Sequence, residues 1–71
     1  MNKNIGIEFG KRVKESRKKS KITQERLSEL AETSYKYIQR IEGKTPPDVR
    51  LTTIVKLAKA LKTKPAKLLR F

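Results

Sequence analysis

The 71-residue chain contains no cysteine, no histidine and no tryptophan. Without thiols no disulfide can staple so short a chain, and without thiols or imidazoles the usual zinc sets are excluded. The missing histidine also removes the side chain that most often moves protons near neutral pH, so Ser16, Ser20, Ser28 and Ser34 have no partner to activate them. Acids are scarce, seven against nineteen Lys and Arg, and they are scattered along the chain. Neither an active site, a metal nor any other cofactor is expected. No apolar run reaches the length of a membrane span or a signal-peptide core, and the basic start Met1 to Lys3 is not followed by one. A soluble, cytoplasmic protein is the expectation.

What is present is positive charge, a net +12. In a chain of this size such a charge repels itself unless it meets a polyanion, and nucleic acid is the obvious partner. Its placement says more than its size. Residues 1–21 carry eight bases and two acids, residues 22–45 four of each, and residues 46–71 seven bases and one acid. A neutral middle lies between two basic ends. The length allows one domain, whose small core supplies only a few kcal/mol unless a second copy adds buried surface, so a homodimer is expected.

The hydrophobic pattern predicts an all-α protein. Residues 1–6 read as a flexible tail and residues 7–71 as a single domain. From Ile7, Phe9 and Val13 recur at helical spacing among charges, with Glu8–Arg12 and Glu15–Lys19 as supporting pairs, giving a first helix that ends near Lys19. Thr23 reads as the N-cap of a second helix, to about Ala31, with Leu27, Leu30 and Ala31 as its apolar stripe. Ser34 caps a third, Tyr35 to Glu42, stopped by Gly43. Pro46-Pro47 forbids helix in the next connection. Leu51, Ile54, Leu57, Ala58 and Leu61 define a fourth helix, and Pro65 opens a fifth, to Arg70. No segment alternates as a strand does.

The unit from Thr23 to Gly43 has the size of a helix-turn-helix, whose second helix lies in the DNA major groove. At about 100° per residue, Ser34, Ile38 and Ile41 share one side of the third helix and Tyr35, Lys36, Gln39 and Arg40 the other. The second set suits base edges: Lys and Arg donate to guanine, Gln pairs bidentately with adenine, and the Tyr ring packs on a thymine methyl. Solvated helix faces commonly carry such residues, but a neutral reading unit between basic flanks divides the labour sensibly, with flanks such as Lys14 and Lys18 holding phosphate and the middle choosing sequence. Gln24, in the first turn of the second helix, is placed to seat a phosphate. Thr23, Ser34, Tyr37 and Lys44 are further phosphate candidates.

The string TQERLSELAETSYKYIQRIEGK resembles the xenobiotic-response-element, or Cro-type, family of bacterial and phage regulators, which includes the controller proteins of restriction-modification systems. The resemblance extends from FGKRVKESRKKSKIT to VKLAKALKTKPAKLL. It implies a compact five-helix domain, a sequence-specific double-stranded-DNA-binding regulator acting mainly as a repressor, Gln24 on a phosphate, and base-facing Tyr35, Lys36, Gln39 and Arg40. It also implies an ion pair between Arg17 and Glu42. Three departures from the family pattern stand out: Glu32 and Lys62 occupy positions that usually hold glycine, and the loop after the third helix is longer, with its glycine one place early. A non-glycine residue at 32 is expected to take a left-handed conformation.

Other partners fit less well. A membrane-active helix would need one long amphipathic segment, which the prolines and caps interrupt. RNA modules stack bases on aromatic platforms, and only Tyr35 and Tyr37 are available. An antitoxin-like or adaptor protein, with a protein partner first and DNA second, is compatible with the pattern. For a homodimer, Leu68, Leu69 and Phe71 are the candidate interface.

Overall fold

The computed structural model of the chain describes residues 4–71. Five helices follow in order: α1 Ile5–Lys19, α2 Gln24–Leu30, α3 Tyr35–Ile41, α4 Leu51–Ala60 and α5 Pro65–Leu68. There is no strand among the described residues. Each of the first three helices begins on a side-chain cap. The Ile7 amide donates to Asn4 Oδ1 at 3.1 Å, the Arg26 amide to Thr23 Oγ1 at 2.9 Å, and the Tyr37 amide to Ser34 Oγ at 3.0 Å. Asn4 therefore starts α1 two residues before the expected Ile7, so of the tail read from the sequence Ile5 and Gly6 belong to the first turn. Residues 1–3 of that tail lie outside the described residues. The fifth helix is shorter than expected and stops at Leu68.

Three of the four connections are the same corner. Lys21, Glu32 and Lys62 are all left-handed, with φ of 58°, 57° and 56°. The residue after each donates its amide back to the carbonyl five positions earlier: Ile22 to Arg17 at 3.3 Å, Thr33 to Ser28 at 2.9 Å, and Thr63 to Ala58 at 2.9 Å. These are Schellman closures, which satisfy carbonyls that a helix end leaves orphaned, and they favour glycine at the left-handed position. Here no glycine occupies it, so each corner carries the steric cost of a Cβ in that region. Glu32 and Lys62 take this conformation where the sequence departs from the usual glycine. Lys21 does the same without any such signal. Gly43, by contrast, has no positive φ, and α3 ends without a left-handed cap. A Cβ at Gly43 would stand 3.0 Å from the Gln39 carbonyl oxygen, so lack of bulk rather than backbone freedom suits glycine there.

Val13, Leu27, Ile38, Ile41 and Leu57 are completely buried and form the centre of the core, with Phe9, Ala31, Ile54, Ala58, Leu61 and Leu68 around them. Burying each larger side chain contributes about 1.5–3 kcal/mol. Two details differ from the sequence pattern. Leu30 is exposed and Ser28 is buried instead; the Ser28 hydroxyl donates to the Glu25 carbonyl at 2.6 Å, which satisfies it within its own helix. Leu68 is only 2 % exposed. It belongs to the chain's own core, where α5 folds back on α4 and α1, and it is not available to a partner as the sequence reading had it.

Gly10 sets the distance between α1 and α3. Buried in α1, it faces the end of α3 so closely that an added Cβ would overlap the Ile41 carbonyl oxygen and stand 3.2 Å from its carbon. Only a residue without a side chain lets the two backbones approach in this way. On the surface of α1, Arg12 pairs with Glu15 at 3.8 Å rather than with Glu8, and both side chains remain largely in solvent.

Candidate nucleic-acid interface

Helix α3 has two chemically opposite sides. Ile38 and Ile41 anchor it in the core, and Tyr35, Lys36, Gln39 and Arg40 are all exposed. The structure thus brings the four base-facing candidates onto one solvent-facing row, held from behind by the two isoleucines. Ser34, grouped with the isoleucines by periodicity, is exposed instead, because it sits outside the helix as its cap. Tyr37 lies half-buried at the edge of the row with its ring against the core. Lys44 is exposed just past the end of α3, in the connection that leads to Pro46-Pro47.

The hydroxyls of Thr23 and Ser34 each accept a backbone amide at the start of a helix. Such a hydroxyl retains its own proton, so each can cap a helix and donate to a phosphate at once. Both caps sit at helix N-termini, where free amides and the helix dipole favour an anion.

At the other end of the row lies a partly buried polar network. Arg17 Nε donates to Glu42 Oε2 at 2.8 Å and Arg17 Nη2 to Glu42 Oε1 at 3.1 Å, a two-pronged ion pair. The Glu42 side chain is 2 % exposed and that of Arg17 11 %. Arg17 Nη1 also donates to the Ile22 carbonyl at 2.9 Å. Gln24 completes the set, its Nε2 donating to Glu42 Oε1 at 3.0 Å. Arg17 from the last turns of α1 and Gln24 from the start of α2 meet on the carboxylate at the end of α3, and the corner after α1 joins through the Arg17 guanidinium. A carboxylate at a helix C-terminus opposes the helix dipole and a buried one is costly, so the guanidinium is what allows Glu42 to occupy this place.

Two features of the site were not anticipated. The Gln24–Glu42 bond joins residues eighteen positions apart, and no local pattern announces it. Gly10 gave a faint signal, a glycine inside an otherwise amphipathic helix, which often marks close backbone approach. Among the described residues no group of three or more His, Cys, Asp or Glu stands together as a metal site requires, and no helix is long and apolar enough to cross a membrane.

Comparison with known proteins agrees with this geometry. Residues 12–71 match the family described as the Cro/C1-type HTH DNA-binding domain. Among solved structures, the restriction-modification controller protein C.AhdI from Aeromonas hydrophila is similar, with a TM-score of 0.84 and 33 % sequence identity over 89 % of this chain and 94 % of that one. No match was found among curated proteins.

Proposed function

The chain belongs to the Cro/C1-type helix-turn-helix DNA-binding family and is a DNA-binding transcriptional regulator; from that premise we propose that it reads a specific operator in the major groove with α3 and acts as a repressor where that operator overlaps a promoter. The observation that carries this reading is the exposed row Tyr35, Lys36, Gln39 and Arg40 backed by the buried Ile38 and Ile41. Side chains of these types match base edges, and a helix fixed from behind presents them without first having to order itself. Thr23, Gln24, Ser34, Tyr37 and Lys44 surround the row and would take phosphates, setting its register on the duplex.

We further propose that two copies act together. The surface that supports this is apolar: Leu69 and Phe71, with Ile5 of α1, rim a cleft floored by Phe9, Val49 and Ile54, and Leu51 and Val55 form an exposed stripe on α4. Two reading helices related by a twofold axis would meet half-sites about 34 Å apart on one side of the duplex.

Selection of bound sites from random duplex DNA at physiological salt tests the proposal. The expected product is a near-palindromic site of two half-sites. Replacing Lys36, Gln39 or Arg40 by Ala should then cost about 1–3 kcal/mol at particular base pairs, whereas replacing Lys14 or Lys18 should weaken all sequences alike and flatten the salt dependence. No enrichment, or the same behaviour from both groups of variants, would overturn it.

A further inference from the structure

We infer that Glu42 is a positioning residue for DNA contact: it fixes the carboxamide of Gln24 before any ligand arrives, and Arg17 makes that arrangement affordable for a buried acid. The inference rests on the reading of Gln24 as a phosphate contact.

Glu42 Oε1 receives both Arg17 Nη2 at 3.1 Å and Gln24 Nε2 at 3.0 Å, and Glu42 Oε2 receives Arg17 Nε at 2.8 Å. Three donors occupy most of the acceptor sites of a carboxylate that is almost completely buried. A carboxylate accepts and cannot donate, so Gln24 must turn its NH2 edge toward it; the opposite orientation would set the amide oxygen against a negative charge. The orientation of this amide, which is ambiguous in a lone glutamine, is therefore dictated by its partner. One N–H and the carbonyl oxygen remain for a ligand. Because phosphate only accepts hydrogen bonds, the remaining N–H is the group it would take.

The chain contains two glutamines, Gln24 and Gln39. Gln39 stands exposed on α3, and no hydrogen bond to its side chain occurs among the described residues. It must lose its rotamer freedom on binding, whereas Gln24 has lost it on folding. Glu42 also closes α3 at its C-terminal end, so the group that orients Gln24 moves with the reading helix. The phosphate contact and the base contacts are thus joined by the Gln24–Glu42 hydrogen bond as well as by the α2–α3 corner, while the two Arg17 bonds hold Glu42 itself in place.

Side-chain amide NMR on the full 15N-labelled chain tests this without any DNA. In the wild type, the Gln24 carboxamide should be rigid, with an order parameter clearly above that of Gln39. Glu42→Asp keeps the charge for Arg17 but withdraws the acceptor by one methylene; Gln24 should then become as mobile as Gln39. Affinity for the selected duplex should fall roughly three- to tenfold, the effect of having to freeze one rotamer-rich side chain on binding. That loss should vanish when Gln24 is already Ala, so that Gln24→Ala and the double variant bind alike. A melting curve establishes that Glu42→Asp is folded, and the wild-type order parameters stand whether or not it is. If Gln24 is as mobile as Gln39 in the wild type, the positioning role is overturned and the phosphate contact is untouched. If Gln24 is rigid but Gln24→Ala binds with unchanged affinity, the phosphate contact itself is overturned and positioning has nothing to serve.

Discussion

The two halves of this small bundle are finished in different ways. From Asn4 to Glu42, every helix starts on a side-chain cap, and the end of α3 is tied to α1 and α2 by the Arg17–Glu42–Gln24 network. From Arg50 onward neither helix has such a cap: Arg50 and Lys64 precede α4 and α5 without a side-chain hydrogen bond. Exposed apolar side chains are also denser along this shorter stretch, at Leu51, Val55, Leu69 and Phe71, than in the longer first half, which exposes Ile5, Leu30 and Tyr35. The half that carries the exposed α3 row is thus closed by its own polar groups. The other half is left with open apolar surface, and the proposed division assigns reading to the first half and pairing to the second.

If this contrast is real, single changes in the first half should be severe and changes in the second mild. The largest effect is expected from Glu42→Ala, which leaves the Arg17 guanidinium partly buried with no counter-ion and Gln24 with no acceptor; about 3 kcal/mol of folding stability should be lost in denaturant titration. An unchanged melting temperature would remove the network from the account. Next comes Gly10→Ala, which drives a methyl group into the Ile41 carbonyl and forces α1 and α3 apart at a cost of about 2 kcal/mol, with DNA affinity falling as well because α3 is displaced. Wild-type stability in that variant would mean that the helices can yield.

In the second half the expected effects are smaller and one changes sign. Arg50→Asp supplies the cap that α4 lacks and places a negative charge at its N-terminus, so stability should rise by about 1 kcal/mol in the same titration. A loss of stability would show that Arg50 has a packing role. Leu51→Lys combined with Val55→Lys should change the stability of the folded monomer least, by no more than about 0.5 kcal/mol. The mass in sedimentation should nevertheless drop to that of a single chain at all concentrations. If the mass stays that of a dimer, the pairing surface lies elsewhere.

Local pattern made most of the fold legible, because helical periodicity and capping chemistry act over a few residues. Thr23 and Ser34 were readable as caps, and the opposition of Ile38 and Ile41 to the Tyr35–Arg40 row follows from counting around a helix. The left-handed Glu32 was readable from what usually stands at that corner. Features that depend on what a segment meets across the core were not legible. Nothing near Ser28 indicates that its hydroxyl is buried while Leu30 turns outward. Leu68 and Leu69 look alike in sequence, and only the way α5 folds back buries the first and leaves the second in solvent. Placement of the reading row can be read from the chain, but the bases it prefers depend on a partner that no single chain specifies.

The repeated corner bears on how the molecule can be handled. At Lys21, Glu32 and Lys62 the left-handed backbone strains a residue that has a Cβ, at a cost on the order of 1 kcal/mol apiece. The native sequence therefore sits below the stability its topology permits. A triple-glycine version would give a sturdier scaffold on which damaging changes to the exposed α3 side chains could be compared without some of them simply melting.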